Sequence, residues 1–141
     1  MSITAPTQGL SIAAAAERSG LTSHTLRYYE RDGLMLRAVG RSSSGHRVYT
    51  EEDLRWIAML TRLRATGMPI REVKHYAEMC RAGGGNELAR LGLLRAHRAR
   101  VLTLLSEVTE HLGAIDNKIG IYTDRLEASG FTDAEIHEGR S

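Results

Sequence analysis

Eight apolar residues, Val101, Leu105, Val108, Leu112, Ile115, Ile119, Tyr122 and Leu126, recur in strict alternation of four and three positions. The mean period of 3.5 residues is that of a helix winding around a partner helix. Such a stripe cannot bury itself alone. The segment therefore predicts a long helix that dimerises. Extended backward, the seam passes through Arg98, Leu94, Leu91 and Glu87, so it is apolar in the middle and interrupted near its start. From Asn86 or Glu87 to about Leu126, at about 1.5 Å per residue, the helix spans roughly 60 Å. The alternative is a long helix packed within its own monomer. Only the N-terminal half offers a mate, and it has its own core to fill.

The 141 residues allow one domain, or a small domain with an appendage. Formal charge is +2 overall but unevenly spread. Residues 1–75 hold 11 Lys/Arg against 7 Asp/Glu, whereas residues 76–141 hold 8 against 10. A basic N-terminal half points modestly to a phosphate backbone. Cys80 is the only cysteine, so neither an internal disulfide nor a cysteine metal cluster can form within one chain. That fits a reducing cytoplasm. The start lacks a charged region followed by an apolar one, and Ala13 to Ala16 is too short to cross a bilayer. A soluble cytoplasmic protein is expected.

Along the chain, residues 1–9 read as polar and loose. Ser11 caps a first helix, Ile12 to Ser19, which Gly20 stops. Thr22 or Ser23 caps a second helix to about Arg31, broken by Asp32-Gly33. Helix, tight turn and helix have the length of a helix-turn-helix. From Met35 to Thr50 a hairpin or wing is expected, with a flexible polar centre at 40–45, Arg41 near its loop and Arg47 on its return strand. Thr50 with Asp53 is a capping pair for a third helix, Glu51 to Thr66. Pro69 opens a fourth, Ile70 to about Met79. Gly83-Gly84-Gly85 cannot sit comfortably in a helix and reads as a hinge. The expected organisation is a winged helix-turn-helix DNA-binding domain over 10–80, a glycine hinge over 81–86, a coiled-coil dimerisation helix over 87–127 and a polar, disordered tail over 128–141. The fold class is all-α with a small β wing.

On the second helix, Leu26 and Tyr29 can face the core, and Ser23, His24, Arg27 and Tyr28 can face outward. Those outward groups lie near a helix N-terminus, where the dipole favours anions. Arg and Tyr reach phosphates, while Ser and His can reach base edges. An ordinary amphipathic helix with a solvated polar face would look the same when taken alone.

The string Leu26-Arg27-Tyr28-Tyr29-Glu30-Arg31-Asp32-Gly33-Leu34 resembles the signature of the MerR family of transcription regulators. Gly45-His46-Arg47-Val48-Tyr49 resembles that family's wing, Leu63 to Ile70 its auxiliary helix pair, and the heptad seam its antiparallel dimer helix. The resemblance covers residues 10–126 in order. It implies a homodimer on a palindromic promoter, double-stranded promoter DNA and RNA polymerase as partners, and activation by distorting an over-long promoter spacer. It implies phosphate contacts by Arg27 and Tyr28, a wing grip by Arg47, and a basic contact by Arg64 ahead of the glycine. Arg41 and Tyr49 of the wing complete the expected DNA-binding set with Ser23 and His24.

Other chemistry is sparse. Cys80 reads either as a small apolar residue at the end of the fourth helix or as a thiol sensor helped by Arg81. Relatives that respond to aldehydes carry their cysteine at the position of Arg62, so the resemblance does not transfer a sensing residue. Metal-sensing members use a cysteine pair at the end of the dimer helix, and Ile121 to Glu127 has none. The six histidines read as scattered surface or interface groups, and no metal or cofactor is expected. No nucleophile elbow, phosphate loop or dinucleotide fingerprint is present, so no enzyme is expected. Any effector pocket must lie between coil, hinge and fourth helix, where Tyr76, Met79, Cys80, Tyr122 and Phe131 are candidates. The competing function is a coiled-coil adaptor with a protein-binding head, which predicts no salt-sensitive affinity for DNA.

Overall fold

The computed structural model describes residues 9–138. Six helices and one two-stranded hairpin follow in the order α1 (Ile12–Ser19), α2 (Ser23–Arg31), β1 (Gly40–Arg41), β2 (Arg47–Val48), α3 (Glu51–Ala65), α4 (Ile70–Ala82), α5 (Glu87–Ala128) and α6 (Asp133–Glu138). The described chain divides after His97 into two compact units, so the first three turns of α5 belong to the first.

Local chemistry sets the helix ends. The Ser11 side chain accepts from Ala14 N–H, and Thr22, rather than Ser23, accepts from Thr25 N–H at the start of α2. Thr50 and Asp53 form a full capping box on α3. After α3, Gly67 takes φ +92°, while Met68 N–H reaches Leu63 O and Gly67 N–H reaches Arg64 O. This left-handed turn satisfies carbonyls that the helix end leaves open.

The core of the first unit gathers Leu26 and Tyr29 of α2, Leu34 and Val39 of the connection, Tyr49, and Ile57, Leu60 and Leu63 of α3, with Met68 and Val73 beyond. Two stitches hold the α2–wing connection against it. Trp56 Nε1–H donates to Leu34 O at 2.8 Å, and Arg81 Nη1 donates to Gly33 O and Met35 O at 2.6 and 2.8 Å. The wing pairs antiparallel, Gly40 with Val48 and Arg41 with Arg47.

Several expectations are corrected. Residues 1–8 lie outside the described residues, but Gly9, the last of the segment expected to be loose, is packed closely against the wing, next to the paired Leu10. Leu10 pairs with Tyr49 through both backbone bonds, at 2.7 and 2.8 Å, and a Cβ at Gly9 would overlap Val48 Cγ1. The wing centre is a bonded turn rather than a free loop: Ser42 N–H donates to His46 O, Gly45 N–H to Ser42 O, and Ser44 Oγ meets His46 Nδ1 at 2.9 Å. Gly83 to Gly85 lie between α4 and α5, outside any helix, with a side-chain bond on either flank. Asn86 Nδ2 donates to Met79 O, and Glu87 Oε1 accepts from Gly85 N–H, both at 2.9 Å. His97 is not a surface histidine. It is 6% exposed, with Nε2 2.8 Å from Thr66 Oγ1. Leu94 packs against the core of its own unit and so is not free seam surface.

In the second unit, the tail expected to be disordered forms α6. Thr132 and Glu135 cap it reciprocally: Glu135 Oε2 accepts from Thr132 N–H at 2.8 Å and Thr132 Oγ1 accepts from Glu135 N–H at 3.3 Å. Gly130, at φ +94°, and Phe131 close the preceding turn onto Glu127 O and Leu126 O. No helix of the described residues is long and apolar enough to cross a membrane.

Candidate nucleic-acid interface

α2 buries Leu26 and Tyr29, and this fixes what it shows to solvent. His24 and Arg27 are exposed, while Ser23 and Tyr28 are half-buried. The Arg31 guanidinium sits 5.7 Å from the Tyr28 ring centroid. That contact orients the Tyr28 ring beside a cation.

The wing supplies the second surface. Arg27 of α2, Arg41 of β1, His46 of the wing turn and Arg47 of β2 line one recess of about 310 Å³ with the start of α1 at Ser11 to Ala13. Three arginines and the positive end of a helix dipole thus border one space. This is the chemistry of a phosphate cradle.

Glu30, which sequence reasoning did not select, organises this recess. Its Oε1 accepts from Arg47 Nε at 2.5 Å, and its Oε2 lies 3.5 Å from Arg41 Nη2. One carboxylate of α2 therefore holds both wing strands. The hydrogen bond from Arg47 to Glu30 raises the pKa of the guanidinium above its ordinary value. Arg41 Nη1 also donates to Gly45 O at 3.3 Å. The available signal was Glu30's place four residues after Leu26. That position is half-buried and turned toward the wing, but only the folded chain shows the wing there.

Arg64 lies at the end of α3, where its Nη1 donates to Met68 O at 2.7 Å. It caps the Gly67 turn while the residue stays exposed. Tyr49 does not join the surface. It is 0% exposed, burial raises its pKa, and its hydroxyl finds no hydrogen-bond partner among the described residues. A wholly buried ring cannot touch a phosphate, so Tyr49 is a core residue and not a DNA contact.

The candidate effector residues belong to both units. On α4, Met79 is buried, Tyr76 stacks on Trp56 with centroids 5.9 Å apart, and half-buried Cys80 has Arg90 Nη1 at 4.0 Å from its Sγ. Burial and the Cys80 thiol raise the Tyr76 pKa. In the second unit, Tyr122 and Phe131 are exposed, and Phe131 lines a recess of about 350 Å³ with Leu126 and Ile136. No group of three or more His, Cys, Asp or Glu among the described residues is placed to hold a metal ion.

A recognition helix, a bonded wing and a shared cationic recess define a winged helix-turn-helix DNA-binding protein. Comparison with known proteins specifies the class. Residues 10–80 match the family described as MerR HTH family regulatory protein. An uncharacterized HTH-type transcriptional regulator of Haemophilus influenzae is 34% identical over 110 residues, covering 78% of this chain and 81% of the relative. The HTH-type transcriptional regulator AdhR of Bacillus subtilis is 39% identical over 93 residues, 66% of each chain. Among solved structures, HiNmlR, a MerR family regulator lacking the sensor domain and bound to promoter DNA, superposes with TM-score 0.76 at 32% identity, covering 85% of this chain and 94% of that one. A MerR family regulator from Listeria monocytogenes gives 0.77 at 35%, covering 85% and 90%. The chain belongs to the MerR family of DNA-binding transcriptional regulators. That membership displaces the adaptor reading.

Proposed function

We propose that the protein acts as a homodimer whose two heads grip a two-fold-symmetric promoter and activate transcription by bending and untwisting its spacer for RNA polymerase. The observation that carries this reading is the seam on α5. Leu105 is 59% exposed, Leu112 53%, Ile115 57% and Ile119 57% in the single chain. Large apolar residues left open at heptad spacing are what a second copy covers. An antiparallel pairing separates the two heads, and a stiff coil between them can exact a DNA deformation of order 1–6 kcal/mol.

In each head, Arg27, Arg41 and Arg47 hold one stretch of backbone in the cationic recess, and Arg64 holds another. Ser23 and His24, at the N-terminal end of α2, approach base edges. The test is in vitro transcription from the chain's own promoter with spacers shortened one base pair at a time, alongside DNA bending measured by fluorescence transfer. Activation that disappears as the spacer reaches the length polymerase uses unaided supports the distortion reading. Unbent DNA, or equal activation at every spacer length, overturns it.

A further inference from the structure

We propose that the groove between α1 and α3 is a binding site for a small anionic molecule, a dicarboxylate or a phosphorylated compound, held between Arg55 and Arg62. The groove has a volume of about 430 Å³, within the ~300–1,000 Å³ usual for small-molecule pockets. Arg55, Ala58 and Arg62 stand at i, i+3 and i+7, so they share one stripe of α3. Their stems are two turns apart, about 10 Å along the axis. Ala58 between them leaves the floor open, and Leu54 gives an apolar wall.

The donors available to a ligand are charged. The Ser19 hydroxyl donates to Ala16 O, and the Thr61 hydroxyl donates to Ile57 O. Both lining hydroxyls therefore keep their protons within the protein. At one rim Arg18 is fixed by Glu51 through two bonds, at 2.6 and 3.1 Å, which nearly cancels the charge of that corner. Glu51 also feels Arg55. Among the described residues, no acceptor holds the guanidinium of Arg55 or Arg62. A guanidinium offers paired N–H groups that match carboxylate and phosphate oxygens, so the groove selects for anions over neutral molecules. It lies at the Arg18 end of α1, whereas the cationic recess of the DNA-facing surface lies at the Ser11 end. The two sites therefore use different arginines.

Calorimetric titration of the full chain without DNA tests this, with succinate, phthalate and inorganic phosphate as probes and succinamide as the neutral control, at fixed ionic strength. Saturable binding of one anion per chain is expected, weakened tenfold or more in Arg62→Gln and in Arg55→Gln and unchanged in Arg71→Gln. Thermal melting of each variant checks that it is folded. No saturable binding, equal binding of succinamide, or binding that survives both groove substitutions overturns the proposal. The same variants titrated with promoter DNA give the remaining outcome. If Arg62→Gln lowers the salt slope of DNA binding, the groove is a backbone contact and the proposal fails.

Discussion

Arg47 Nε of β2 donates to Glu30 Oε1 of α2 at 2.5 Å, across seventeen positions of sequence. The wing is thereby locked to the recognition helix, and the direction of its arginines is set before DNA arrives. Preorganisation of this kind favours the matched site over random contact. Glu30→Gln is expected to lower the ratio of specific to non-specific DNA affinity about tenfold, a loss of about 1.4 kcal/mol. Removing a carboxylate beside the backbone should leave non-specific binding equal or stronger. Titrations against promoter and scrambled duplexes at one salt concentration measure this. Equal weakening on both duplexes would mean that Glu30 acts through folding alone.

The arginines of the interface separate by their second duties. Arg27→Ala, Arg47→Ala and Arg64→Ala should each weaken binding to all sequences, reducing the salt slope by about one unit per lost contact in each subunit. Arg64 also caps Met68 O, so Arg64→Ala should additionally cost about 1 kcal/mol of stability, whereas Arg27→Ala should not. Denaturant melts set beside salt titrations separate the two effects. Relaxed base preference with an unchanged slope would assign these arginines to base reading instead.

Tyr49→Phe tests whether Tyr49 belongs to the core and not to the DNA-facing surface. The hydroxyl is buried without a partner among the described residues, so its removal should leave stability equal or raise it by up to about 1 kcal/mol. DNA affinity should not change. A tenfold loss of affinity in this variant would return Tyr49 to the interface.

Leu105→Lys with Leu112→Lys places charge in the middle of the seam, where both leucines stand exposed on the single chain. Monomers are expected at micromolar concentration, because a coil cannot bury unpaired ammonium groups. Light scattering decides it, and a double variant that remains fully dimeric refutes the coil.

The tail helix α6 should respond to acid. Bonds from the backbone and then the side chain of Thr132 hold the Glu135 carboxyl below its ordinary value of 4.5. A depressed folded-state value gives a contribution that is fully present above the unfolded value and is lost as pH falls through the folded one. The helix signals of residues 133–138 should therefore hold above the ordinary carboxylate value and fade as pH falls below it, while Glu135→Gln removes that dependence. Amide chemical shifts followed through an acid titration measure it.

Short-range chemistry decided what was legible from sequence. The caps Ser11, Thr22 and Thr50, the stops at Gly20 and Gly67 and the 3.5-residue seam all act within a turn or two, so they marked the helices to within a few residues. The motif strings around Arg27 and Arg47 marked the head as a DNA reader. Tertiary structure decided the rest, because the partners are distant in sequence. Only the fold sets Glu30 against Arg47, pairs Leu10 with Tyr49, and brings His97 to Thr66. Tyr49 illustrates the limit. Alternation along a two-residue strand cannot say which face is covered, and the N-terminal segment that pairs with Tyr49 lies some forty positions away. The tail differs for another reason: its capping pair, Thr132 with Glu135, stands in the sequence, but polar composition masks the short helix that it starts.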